Sequence, residues 1–110
     1  MQCTIMGAPR FYHEVCEAYN LFDANDITVL LPSKSALESM EAYMCFDMEL
    51  HEMSKPGGLS AIARQRLDEH LDATKRFDFL YVVNPHNDFS DMQTFVAGYA
   101  HALGKSIFSR

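Results

Sequence analysis

Two polar loops follow two of the most apolar segments of the chain, and their side chains are suited to holding a small anionic ligand. The first is Gly7-Ala8-Pro9-Arg10-Phe11, the second runs from Asn84 to Ser90. Gly7 permits a tight turn and close approach of backbone to ligand. Arg10 beside it can grip an oxyanion with two parallel N–H groups. Asn84 closes the apolar run Phe79–Val83. Ser90 and Gln93 fit the pattern S-x-x-Q, a capping box in which Gln93 reaches back to the Ser90 N–H. A helix starting there also offers free N–H groups and the positive end of its dipole to a phosphate or carboxylate. Asp91 in the first turn opposes an anion, but facing a crevice it could hold a sugar hydroxyl or act as a carboxylate catalyst. Asp68 is a second candidate carboxylate; as an ordinary i,i+4 partner of Arg64 it would be worth only a few tenths of a kcal/mol. The five histidines are scattered with no His-x-x-x-His pair, so no metal site is expected.

The surrounding segments say how these loops are positioned. Cys3–Met6 and Phe79–Val83 are short apolar runs of the kind that form strands buried on both faces. Ile27–Leu31, stopped by Pro32, and Lys105–Phe108 predict two more strands. Phe11, Val15, Ala18, Tyr19 and Phe22 make a helical stripe after Pro9, which suits a first helical turn. Asn25 is the expected left-handed residue of the turn that follows. Ser35 with Glu38 predicts a capping box for a long helix to Met53. That helix is apolar on more than one face and rich in methionine. Either one face meets a partner subunit, giving a homo-oligomer, or the helix is wedged deep in the core. Leu59, Ile62, Ala63, Leu67 and Leu71 define a helix ending near Arg76. Met92, Phe95, Val96, Tyr99 and Leu103 define the last one, with Gly104 at its C′ position.

The order β-α-β-α-α-β-α-β predicts an α/β domain: one three-layer, Rossmann- or flavodoxin-like unit over residues 1–110. Its mainly parallel sheet has four strands in the order 2-1-3-4. That order reverses between strands 1 and 3, setting the two polar loops side by side where ligands bind in such sheets.

Composition narrows the partners. The chain has 110 residues, 48% hydrophobic and 22% charged, the balance of a single globular domain. A net charge of −6 argues against polymeric DNA or RNA, though not against one nucleotide. No apolar run approaches membrane-spanning length. Cys3, Cys16 and Cys45, odd in number and without metal spacing, read as reduced thiols of a cytoplasmic protein.

Tyr81-Val82-Val83-Asn84-Pro85, followed by Ala97-Gly98-Tyr99-Ala100-His101-Ala102-Leu103-Gly104-Lys105, resembles the C-terminal signature of the nucleoside 2-deoxyribosyltransferases and the related 2′-deoxynucleoside 5′-phosphate N-hydrolases. Gly7 to Phe11 is similar to that family's first loop, which approaches the nucleoside. Asp68 falls where the family has an Asp that helps hold base or sugar. The resemblance implies a pocket for a nucleoside or its monophosphate and no cofactor. It also implies a nucleophilic Glu three residues before the Tyr of Gly-Tyr-Ala, attacking the sugar C1′. The oxocarbenium-like carbon needs a carboxylate at close range. Val96 stands at that position. Either Asp91 or Asp88 takes over the role, or the pocket binds without cleaving. Pro56-Gly57-Gly58 resembles the PGG opening of a phosphate-binding motif in lysine-decarboxylase-like phosphoribohydrolases. The rest of that motif is missing, and a helix-breaking loop is the better account.

Overall fold

The computed structural model describes residues 1–51, 61–84 and 91–109. Strand β1 (Gln2–Gly7) leads through a 3-10 turn (Pro9–Phe11) into α1 (Tyr12–Ala24) and β2 (Thr28–Leu31). A second 3-10 turn (Ser35–Leu37) precedes α2 (Met40–His51), followed by α3 (Ala61–Arg76), β3 (Phe79–Val83), α4 (Asp91–Ala102) and β4 (Ser106–Ser109). The four strands form one parallel sheet in the order β2-β1-β3-β4, the α/β topology that the alternation of elements predicts. Pro56-Gly57-Gly58, His86, Asp88 and Ser90 lie outside the described residues, as does the side chain of Asp91.

Successive side chains of a strand point to opposite faces. In β1 and β3 the odd-numbered residues share one face, because Cys3 pairs with Phe79, Ile5 with Tyr81 and Gly7 with Val83. On the other face Thr4, Met6, Leu80 and Val82 are all buried. Helix α1 belongs to the odd face. Its Phe22 ring meets Phe79 and Tyr81 edge-on, with centroids 5.6 and 5.2 Å away. Right-handed crossovers, the near-universal choice, put α3 and α4 on the opposite face. Asp78 ties the entry of β3 to the start of β1: its N–H donates to the Gln2 carbonyl at 2.7 Å, and its carboxylate accepts from the Gln2 N–H at 2.8 Å.

The α1 stripe is as expected, with Phe11, Val15 and Ala18 buried and Tyr19 and Phe22 partly so. The turn after it differs. Asp26, not Asn25, has the positive φ of 61°, while Asn25 caps the helix end by donating its side-chain N–H to the Leu21 carbonyl at 2.7 Å. Helix α2 starts later than Ser35. Ser39 is its cap, the hydroxyl accepting from the Ala42 N–H at 3.1 Å, and Ser35 lies in the separate 3-10 turn. Tyr43 and Phe46 face the core, whereas Met40 and Met44 are 45% and 44% exposed. These two methionines open to solvent, so this stretch of α2 is not wedged in the core. The stripe of α4 is rotated from the expected one. Gln93, Val96 and Ala100 are buried, and Phe95 and Leu103 are exposed. Gly104 does close α4: with φ +74°, its N–H donates to the His101 carbonyl and the Lys105 N–H to the Ala100 carbonyl, each at 3.0 Å. This pair of bonds is a Schellman motif.

Gly7 sets how closely α1 rides on the sheet. A Cβ there would sit 2.7 Å from Val15 Cγ2 and 3.2 Å from Val83 Cβ. Gly7→Ala therefore forces α1 outward and should cost about 1–3 kcal/mol. Val15→Ala also destabilises, by leaving a cavity, but the double variant should lose less than the sum of the two because the new methyl fills part of the vacated space. Strictly additive losses in urea unfolding would show that the two residues do not share this contact.

Cys3 is fully buried in β1, and burial pushes its thiol up to about 11 from about 9. Above pH 9 the unfolded chain loses this proton while the folded chain keeps it, so stability falls as pH rises and levels off past 11. The full loss is roughly 3 kcal/mol. Urea midpoints should drop between pH 8.5 and 10.5 by more in the wild type than in Cys3→Ala; equal drops would remove Cys3 from the account.

Candidate functional site

The reversal of strand order places the carboxyl ends of β1 and β3 next to each other, with Gly7 and Val83 as register partners. The loops leaving them therefore start about 4.8 Å apart. The chain after Gly7 turns into the Pro9–Phe11 segment and α1, and the chain after Asn84 leads toward α4. Both helices thus begin at this end of the sheet.

The expected ligand-binding residues fall into two groups. Gly7, Phe11, Asn84 and Gln93 are at this end of the domain and buried. Phe11 belongs to the same hydrophobic core cluster as Val15 and Val83. Arg10 is exposed on the 3-10 turn, its guanidinium 4.8 Å from the centre of the Phe11 ring. That contact is a cation–π interaction with the neighbouring residue. Asp91 is the first residue of α4. Asp68 stands apart: it is exposed on α3, while His70 on the same helix is buried. Two residues of helix turn the chain by about 200°, so Asp68 points away from the side of α3 that meets the core.

Tyr43 is the residue of this site that sequence patterning passes over. It lies on α2, is almost wholly buried, and donates its hydroxyl proton to the Gly7 carbonyl. A buried tyrosine hydroxyl needs such a partner, and the carbonyl is one that a strand end leaves open. The bond joins residues 36 apart in the chain, so no local spacing announces it. Its ring continues a row of aromatic contacts: Tyr12 at 5.8 Å on one side, Phe46 stacked at 6.1 Å on the other, then the buried His70 5.7 Å from Phe46. Tyr12 donates its own hydroxyl to the Leu37 carbonyl at 2.7 Å. The Tyr12 phenol is pushed up in pKa, first by its hydrogen bond with the Cys16 side chain and then by burial. The Tyr12 phenol is therefore a neutral hydrogen-bonding group at physiological pH.

Among the described residues, this end of the sheet carries the exposed Arg10, the buried side-chain amides of Asn84 and Gln93, the aromatic row through Tyr43 and the start of α4. Val96, where the resemblance implies a nucleophilic Glu, is 2% exposed and faces inward one turn beyond Gln93. Among the described residues no three His, Cys, Asp or Glu side chains are grouped so as to hold a metal ion, and no helix is long and apolar enough to cross a membrane. Two surface grooves lined by described residues flank α1 instead of the crevice. One, of about 190 Å³, is bounded by Cys16, Tyr19, Lys34 and Leu37; the other, of about 300 Å³, by Glu17, Ala18, Leu21, Phe22 and Tyr81.

In comparisons with known proteins, the chain matches no family model, no curated protein and no solved structure.

Proposed function

We propose that the domain binds a nucleoside or nucleotide in the crevice outside Gly7 and Asn84, as the nucleoside 2-deoxyribosyltransferases it resembles do. The observation that carries this reading is the Gly7–Val83 register pair at the point where strand order reverses. Ligands of open α/β sheets sit at that point. Arg10 and the start of α4, with Ser90, are assigned to a phosphate. Asn84 and Gln93 are assigned to the sugar or base, and Asp91 is the carboxylate available for chemistry. Asp68, on the outer side of α3, is left without a role.

The apolar, buried Val96 favours binding over cleavage of the N-glycosidic bond, since a valine supplies neither nucleophile nor stabilising charge. Calorimetry against common nucleosides and 5′-monophosphates should find a saturable ligand that chromatography recovers unchanged. Arg10→Ala should weaken a monophosphate by about tenfold or more and its parent nucleoside far less. Val96→Glu should begin to release free base from the bound ligand, with Val96→Gln as the same-length control that does not. Should the wild type itself release base, Asp91→Ala should abolish it. Absence of any nucleoside or nucleotide binding at millimolar concentration would end the proposal.

A second reading, an assembly module, draws on Met40 and Met44, one turn apart and both open to solvent on α2. Methionine suits adaptable contact surfaces. Light scattering should then show an oligomer that Met44→Lys dissociates; a monomer across the accessible concentration range removes this reading.

A further inference from the structure

The two faces of the sheet are unequally covered. Helix α1 packs on β1 and β2. Beside it, over β3 and β4, no described helix covers the same face: Phe79 and Tyr81 are only half-buried and Phe108 is 55% exposed. Phe108 shares this face, being the register partner of Tyr81 and an edge-on neighbour of Phe79 at 5.6 Å. The wall of the opening on the α1 side is the groove of about 300 Å³ bounded by Glu17, Ala18, Leu21, Phe22 and Tyr81. Leu21, at its rim, is 61% exposed. Exposed single apolar residues are ordinary, but these are contiguous across a helix and two strands.

Size and charge define what fits. Two adjacent strands leave a strip roughly 10 Å wide, the diameter of one α-helix. Parallel sheets of this class are normally covered by helices on both faces. The helix bordering the strip carries Glu14, Glu17 and Asp23 and no Lys or Arg. Glu14 and Glu17 are three residues apart and so lie along the same flank, and Glu17 itself lines the groove. An occupant with basic residues beside its apolar stripe matches this flank, and two copies of a chain with net charge −6 repel each other.

We propose that the groove between α1 and the β3–β4 face docks an amphipathic α-helix of a partner protein, its apolar stripe on Leu21, Phe22, Tyr81 and Phe108 and its Lys/Arg flank along α1. The binding mode is helix-in-groove, with apolar anchors one turn apart supplying affinity and the charge pairing supplying orientation.

The probe is a labelled synthetic peptide of about sixteen residues, long enough to hold helix, with a Leu/Phe stripe flanked by Lys and Arg. A scrambled isomer of the same composition is the control. Anisotropy with the full chain should saturate for the amphipathic peptide and not for the isomer. Amide shifts on titration should cluster at the C-terminal half of α1, β3 and β4. Leu21→Ser and Phe108→Ser, both at exposed positions, should each weaken binding about tenfold while circular dichroism stays unchanged. Glu17→Lys should weaken it too, and a peptide with Glu in place of the flanking Lys should recover binding to that variant. Equal binding of the scrambled isomer, no binding of either peptide, or indifference to Leu21→Ser and Phe108→Ser would overturn the proposal. So would a dimer that Phe108→Ser dissociates, which would assign the groove to a second copy of this chain.

Discussion

The crevice end of this domain is organised around the absence of a side chain at Gly7. With hydrogen in place of Cβ, Val15 of α1 comes down against β1 and the neighbouring Val83 of β3 closes in from the side. The Gly7 carbonyl, at the last position of its strand, is taken up by the Tyr43 hydroxyl from α2. Three elements separated widely in sequence thus converge on one residue. The steric part is unforgiving because close-packed interiors do not absorb a methyl group without shifts elsewhere. The polar part is equally directional, since a buried carbonyl left alone costs about 1–3 kcal/mol.

Much of this architecture is readable from local chemistry. Phe79–Val83 has the boundaries seen in the fold, because a continuous apolar run ended by Asn-Pro leaves little choice of register. Gly104 is the C′ residue of α4, because its helix must stop and only glycine takes φ near +74° without strain. The strand order follows from alternation and loop lengths. Where sequence patterning misleads, a stronger-looking residue competes with the one that packing selects. Asn25 has the better left-handed preference than Asp26, yet its side chain is used on the Leu21 carbonyl. Ser35 has a Glu three residues on, yet Ser39 is the hydroxyl that meets α2.

The rotation of α4 has the same origin. Met92, Phe95 and Leu103 outweigh Gln93 and Ala100 on any hydrophobicity scale, and they pull the expected stripe to one side. Packing follows shape instead: small Ala100 and branched Val96 let the helix approach its neighbours, and Gln93 sits at the helix start, where a polar side chain can be buried with partners. Phe95 is left outside. Of the candidate site, the pairing of the strand ends at Gly7 and Val83 is legible, because it follows from strand order. Tyr43 is not, since nothing in its neighbourhood on α2 points to a carbonyl 36 residues away.

Helix α1 serves both ends of the odd face. At its first turns, Val15 lies where a Cβ on Gly7 would come within 2.7 Å of its Cγ2, so the helix rides on the sheet at a depth that only glycine allows. In its last turns, Phe22 is held edge-on by Phe79 and Tyr81, and Tyr81 also lines the groove. The helix is fixed at one end by sterics and at the other by aromatic contacts that solvent still reaches. On the opposite face, Thr4, Met6, Leu80 and Val82 have no such exposure. The asymmetry follows from connectivity: the single crossover from β1 to β2 supplies one helix to the odd face, while the longer path from β2 to β3 and the step from β3 to β4 supply the other. A sheet built with this strand order closes one side by its own connections and leaves the β3–β4 side of the other open.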